Sequence, residues 1–177
     1  MFGKILLVLV VLVALVLIAA SFQPNEFKVV RSTVVNASAD KVYPQIDDLK
    51  AFDKWNPFME ADPNAKVTYE GVSGMGMSST WDGNNRMGAG KNTITSVQKD
   101  QSVGMRLDFE RPMKNTAQVM FTLQPQGSGT LVTWVMTGNN NLMGKVFHLF
   151  VNMDKMVGGQ FEKGLANLKN TVETTKK

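Results

Sequence analysis

Cysteine is absent from this sequence of 177 residues, and histidine occurs once, as His148. The missing thiols exclude disulfide bonds, thiolate chemistry and cysteine-ligated metals, while they leave the redox state of the compartment open. A single imidazole cannot build the usual zinc sites. A Ser-His-Asp triad is also disfavoured, because the helical pattern around His148 places its ring on a polar face that contacts water. We therefore expect neither a metal nor another cofactor.

Charged residues make up only 19% of the chain, and the net charge of +4 comes from scattered lysines and arginines. No basic run is present, so nucleic-acid binding is disfavoured, although weak attraction to an anionic membrane surface stays open. With 44% hydrophobic residues, the composition favours a globular domain over disorder. The twelve methionines provide flexible, polarizable side chains that suit adaptable apolar surfaces.

Residues 5–20 form an unbroken apolar run, which Lys4 precedes. The run is slightly short of the ~20 residues that cross a bilayer, but its apolar neighbours extend it. The alternative is a cleaved signal peptide, but Ile18 and Ala20 match its cleavage-site pattern poorly. We therefore expect residues 1–24 to remain as a single-pass transmembrane anchor and residues 25–177 to form one domain. The positive charges of Lys4 and the amino terminus predict an inner-membrane protein with its domain on the periplasmic side.

The domain begins with a strand and two short helices. Residues 26–35 alternate in polarity and are rich in β-branched side chains, which is typical of a strand. Short helices are predicted over residues 41–46 and 49–55, and Asn56-Pro57 ends the second. Six more segments, joined by short turn clusters, predict further strands of an antiparallel meander. They are residues 66–70, 77–82, 90–98, 102–110, 116–124 and 130–137.

Residues 141–172 predict one long helix that lies on this sheet. Apolar residues recur in steps of three and four from Met143 to Val172, and Asp154 alone interrupts the row. Gly158-Gly159 predicts a kink or a close backbone approach. One strand, two small helices, six strands and a long helix is the order of an α+β helix-grip fold, in which a curved antiparallel sheet of about seven strands surrounds the C-terminal helix.

Several short motifs resemble those of a known superfamily. They are Trp55-Asn56-Pro57-Phe58, Trp81-Asp82-Gly83, Gly127-Ser128-Gly129-Thr130 followed by Val132 and Trp134, and the Met-Asp-Lys-Met-Val-Gly and Phe-Glu-Lys-Gly-Leu-Ala-Asn-Leu segments between Met153 and Leu168. In these residues the chain is similar to the SRPBCC superfamily, the polyketide cyclase/dehydrase and lipid-transport group with the START and birch-pollen-allergen fold. The resemblance implies a cavity between the sheet and the terminal helix that takes a hydrophobic small molecule. It implies no reaction, because the group contains binding proteins, transfer proteins and a few enzymes.

These observations favour a membrane-anchored carrier or sensor of a hydrophobic small molecule or lipid. Its ligand would fill a continuous void, with Trp55 and Phe58 near the entrance. Asp154 would either meet a polar group of the ligand or pair with a structural partner. The predicted ligand-binding residues are Trp55, Phe58, Trp81, Met105, Leu107, Phe109, Trp134, Met136, Met143, Phe147, Phe150 and Asp154.

Two other functions stay open. A polyketide cyclase or dehydratase would hold a reactive chain folded and use Asp154, Tyr43 or Tyr69 as acid or base. A pocketless envelope interaction domain would show an exposed apolar patch in place of an internal void. The sequence contains few residues suited to catalysis, which favours binding over a reaction. It leaves the ligand's identity and the oligomeric state open.

Overall fold

The computed structural model describes residues 2–174 without the side chain of His148, so the predicted position of that ring lies outside the described residues. The chain begins with α1 (Phe2–Ser21), an apolar helix of 20 residues whose side chains are almost all exposed. By length and composition α1 is the one described helix that fits a membrane span. At about 1.5 Å per residue it reaches about 30 Å, the thickness of the hydrocarbon core.

Seven strands form a single antiparallel sheet in the spatial order β1-β7-β6-β5-β4-β3-β2. The strands are β1 (Glu26–Val35), β2 (Lys66–Glu70), β3 (Ser78–Asp82), β4 (Ala89–Gln98), β5 (Ser102–Arg111), β6 (Asn115–Gln126) and β7 (Gly129–Asn139). The pairing of Glu26 with Asn139 brings the start of the domain beside the start of the C-terminal helices. The number of strands and their antiparallel pairing confirm the sequence prediction.

Two short helices, α2 (Ala39–Val42) and α3 (Leu49–Trp55), follow β1, and a 3-10 turn comes after each of them. The side chain of Asp48 accepts a hydrogen bond from the amide of Lys50 and so caps α3. Asn56 caps the next turn in the same way, and Pro57 prevents α3 from continuing. Both helices confirm the prediction.

The C-terminal region contains two helices instead of the predicted one. They are α4 (Leu142–Phe150) and α5 (Met153–Thr174), and Val151 between them has an extended backbone. The side chain of Asn152 accepts a hydrogen bond from the amide of Lys155 at 3.0 Å, which starts α5 as a new helix. Helix α5 runs through Gly158 and Gly159, and of the two predicted alternatives, a kink or a close approach, the close approach is observed at Gly158. A side chain at Gly158 would collide with the guanidinium of Arg31.

The core lies between the inner face of the sheet and α5. Its centre is an aromatic cluster formed by Phe52, Trp55, Phe121, Trp134 and Phe161. The Trp134 ring stacks on Phe161 with centroids 3.9 Å apart and 7° between the planes. Trp55 contacts Trp134 edge to face and donates its indole hydrogen to the carbonyl of Gln45. These contacts fix α3 and α5 to the sheet.

Candidate functional site

Several residues predicted to contact a ligand are core residues in the structure. Trp55, Met105 and Trp134 are only 1%, 1% and 3% exposed, and Met136 is buried as well. The sequence predicted a continuous void between the sheet and the C-terminal helix. In the structure the aromatic cluster fills this space. The wide cavity expected along the whole helix is therefore occupied by side chains at this level.

The inner face of the sheet is more open at the end nearest α1. Trp81, Leu107 and Phe109 are half-buried there, and so is Phe27, which the sequence prediction missed. The rings of Trp81 and Phe109 meet edge to face at 5.9 Å. They belong to the same row across the sheet, because Phe109 pairs with Gly90 of β4, which in turn pairs with Trp81.

Two glycines determine how these rings lie. A Cβ atom on Gly138 would lie 2.6 Å from the Phe27 ring, and one on Gly90 would lie 2.6 Å from the Trp81 ring. Each ring therefore lies across a glycine on the neighbouring strand, where another residue would push it off the sheet. At this end of the inner face, the aromatic rings therefore lie directly against the backbone of a neighbouring strand.

A groove of about 490 Å³ opens at the same end, between β1 and the junction of α4 with α5. Its size falls within the range of small-molecule sites, about 300–1,000 Å³. Phe27 belongs both to the groove and to the open inner face. The lining residues are Gln23, Pro24, Phe27, Lys28, Val29, Leu149, Phe150, Val151, Asn152, Met153 and Asp154.

Of the predicted ligand-binding residues, the groove contains Phe150 and Asp154. Met143 and Phe147 lie on α4 and are exposed, because α4 turns away from the sheet and packs against α1. Phe58 is 39% exposed and meets Phe161 edge to face on the other side of the core. The contribution of Val151 and Met153 was missed because the sequence prediction placed both inside one continuous helix.

A second concavity, of about 430 Å³, lies on the outer face of the sheet. It forms where the pairing of β4 with β5 shifts between Ile94 and Ser96 and where Gly104 leaves no side chain. Its walls include Gln118 and Thr137 and lie on the face opposite α5. We assign the site to the groove, because the groove contacts the inner face and the second concavity does not.

Asp154 forms an ion pair at the rim of the groove. Its two carboxylate oxygens each accept a hydrogen bond of 2.9 Å from the guanidinium of Arg31, which also donates to Glu162 at 2.6 Å. These hydrogen bonds from Arg31 hold the pKa of Asp154 below its usual range. The predicted inward position of Asp154 is wrong, since the residue is exposed, and its structural partner is Arg31. Arg31 reaches the carboxylates beneath α5 because Gly158 leaves it room.

The two tyrosines lie outside the groove lining. Tyr69 donates a hydrogen bond of 2.9 Å to Asp53, and burial raises the pKa of both groups. Burial likewise raises the pKa of Tyr43. Each tyrosine therefore stays protonated near neutral pH. Among the residues that the structure describes, no three histidine or carboxylate side chains converge as a metal site would require.

The architecture is similar to that of several solved structures. Protein CV1439 from Chromobacterium violaceum aligns with a TM-score of 0.60 and 16% identity, over 85% of this chain and 99% of its own. Ms6760 from Mycobacterium smegmatis aligns with a TM-score of 0.59 and 16% identity, over 84% and 92%. Ara h 8.0201 aligns with a TM-score of 0.56 and 11% identity, over 84% and 99%. These likenesses establish the helix-grip fold.

Sequence comparison identifies the family. No curated protein sequence matches the chain significantly. Residues 26–173, which contain all seven strands and nearly all of α5, match the family described as polyketide cyclase/dehydrase and lipid transport. This match confirms the resemblance inferred from the short motifs. Membership of this family suggests either hydrophobic ligand binding or a cyclase-like reaction. The chain therefore belongs to the polyketide cyclase/dehydrase and lipid-transport family of the SRPBCC superfamily.

Proposed function

We propose that this protein is a membrane-anchored carrier or sensor whose groove between β1 and the α4–α5 junction binds a hydrophobic small molecule or lipid. The observation that carries the proposal is the position of the groove, which shares Phe27 with the open aromatic end of the sheet and begins two residues after α1. Its walls supply apolar contact from Val29, Leu149 and Met153. Polar groups, among them Lys28 and Asn152, lie on the same lining and suit the head of an amphiphile.

A retained anchor agrees with the packing of α1. Ala20 is fully buried, and α1 packs against α4. Removal of residues 1–24 as a signal peptide would take away this packing and leave α4 without its main neighbour. The proposal therefore treats α1 as a permanent span, with residues 25–177 as the binding domain. The charges of Lys4 and the amino terminus favour an inner-membrane location with the domain on the periplasmic side.

Binding is favoured over catalysis by the state of the groove's acidic residue. Of the three residues considered as acid or base, only Asp154 lines the groove. Its carboxylate is held ionised by Arg31, which makes it a weak proton donor, and both of its oxygens already accept hydrogen bonds. We therefore propose no reaction.

Native mass spectrometry of the protein purified from its own membrane, combined with lipid extraction, tests this proposal. We expect a co-purifying apolar molecule that is lost when Met153→Trp narrows the groove. Met156→Trp is the matched control, because Met156 lies one turn along α5, is 48% exposed and does not line the groove. Equal retention of the molecule by both variants would contradict the proposed site. An empty wild-type protein that also fails to bind a fluorescent fatty-acid probe would refute the proposed function.

A further inference from the structure

Helix α4 carries an apolar surface that is exposed in the described part of the chain. Met143, Phe147 and Phe150 recur in steps of four and three and are 61%, 44% and 75% exposed. The neighbouring row, Val146 and Leu149, is half-buried. The main packing partner of helix α4 is α1. Helix α4 therefore packs against α1 and leaves Met143, Phe147 and Phe150 exposed, and these three residues are called the outward row below.

The place where α4 meets α1 indicates what covers the outward row. Val16 and Ala20 are the two least exposed residues of α1, and they lie one turn apart near its C-terminal end. If α1 spans a bilayer, the stretch from Val16 to its end occupies about 8 Å of the hydrocarbon on the domain side. Amphipathic helices that lie in a membrane surface reach a similar depth, about 5–10 Å.

We propose that α4 lies in the membrane surface, with Met143, Phe147 and Phe150 among the lipid chains. The occupant of this surface is the bilayer that holds α1, so the inference rests on the anchor of the proposed function. Phe22, which directly follows α1 and is 84% exposed, extends the same apolar zone. The remaining positions of α4 include Lys145 and His148, polar residue types that suit the headgroup side of an interfacial helix.

This placement of α4 also indicates that the ligand would come from the bilayer. Leu149 and Phe150 belong to α4 and to the lining of the groove. A helix held in the membrane surface therefore opens the groove to lipid, and a bilayer-resident amphiphile can enter sideways without crossing water. The break at Val151 permits this arrangement, because it lets α4 follow the membrane while α5 stays on the sheet.

Depth-dependent fluorescence quenching tests the inference on the full chain. Because the protein has no cysteine, each introduced cysteine is a unique labelling site. Phe147→Cys, Leu9→Cys and Val72→Cys would each carry an environment-sensitive dye in phosphatidylcholine–phosphatidylglycerol vesicles, with or without doxyl-labelled lipid. Leu9 lies inside α1, while Val72 is 83% exposed on the loop after β2, at the end of the sheet away from α1.

We expect the label at position 147 to shift to the blue and to lose fluorescence to the doxyl lipid as the label at position 9 does, while position 72 stays unquenched. Lys145→Cys should be quenched less than Phe147→Cys, since it lies on another side of α4. Quenching at 9 with a response at 147 equal to that at 72 would overturn the placement of α4 and leave the anchor intact. Absence of quenching at both 9 and 147 would refute the anchor and this inference together.

Discussion

Replacing Gly164 by alanine should destabilise the protein, whereas the same change at Gly159 should stabilise it. Both glycines lie inside α5. A Cβ atom on Gly164 would lie 2.8 Å from the Trp134 ring and 2.9 Å from the Pro57 ring, while no atom lies within 4 Å of one on Gly159. Neither neighbour of Gly164 moves easily, because Trp134 is stacked on Phe161 and a proline ring is rigid.

The expected difference follows from two opposing effects. Alanine in a helix interior is about 0.5–1 kcal/mol more favourable than glycine, and Gly159→Ala should gain this amount. Gly164→Ala gains the same but adds overpacking, which typically costs about 1–3 kcal/mol. The two variants should therefore differ by about 1–3 kcal/mol. A difference of about 2 kcal/mol separates the melting temperatures of a domain of this size by about 4–8 °C.

Thermal unfolding of the full chain in detergent, followed by circular dichroism, measures the two variants side by side. Equal melting temperatures would refute the reasoning, because they would mean that α5 and Trp134 have room to separate, as they would around a ligand cavity. A Trp134→Phe background provides the control. The smaller ring should reduce the cost of Gly164→Ala and leave the gain from Gly159→Ala unchanged.

Two further predictions concern single polar groups. Burial raises the pKa of Asp53 above its unfolded value, so its contribution to stability is present at low pH and is lost as the pH rises through the folded pKa. Asp53→Asn, which still accepts the hydrogen bond from Tyr69, should therefore raise the melting temperature more at pH 7 than at pH 4, and an equal effect at both would contradict the assignment. Asn152→Ala removes the cap of α5 and should cost about 1 kcal/mol of unfolding free energy in a denaturant titration. Asn152→Asp keeps a side-chain acceptor and should cost much less, and equal losses would show that capping does not explain the break between α4 and α5.

The sheet was predictable because a strand's alternation reports directly which face each side chain occupies. Met105 and Met136 were placed on the inner face by their spacing alone. Met105 pairs with Val119, and Val119 pairs with Met136, so the three residues form one buried row. The same alternation cannot tell a core residue from a cavity wall. That distinction depends on how closely α5 approaches the sheet, which Gly164 and Trp134 decide at long range.

The break before α5 was missed for a related reason. The apolar spacing is the same before and after Val151 and Asn152, so the periodic pattern favoured one helix. Asn152 is nevertheless a good capping residue. At Gly158, in contrast, the local pattern left a kink and a close approach as alternatives. The role of this glycine depends on Arg31, which is far away in the sequence and reaches Asp154 and Glu162 beneath the helix. A contact of that kind leaves no trace in the local pattern.

The middle and the first turn of α5 therefore have different consequences for binding. At Gly164, in the middle of α5, the helix rests directly on the ring of Trp134, so this part has no room for a ligand without repacking. At its first turn the helix is joined to β1 by the Arg31–Asp154 ion pair, and the groove lies beside that turn. Because α4 leaves the sheet at the same place, the residues that would have closed a long cavity in a continuous helix lie instead beside α1. With α1 as the anchor that we propose, the groove would open at the membrane, and lipid is the ligand that we expect it to meet first.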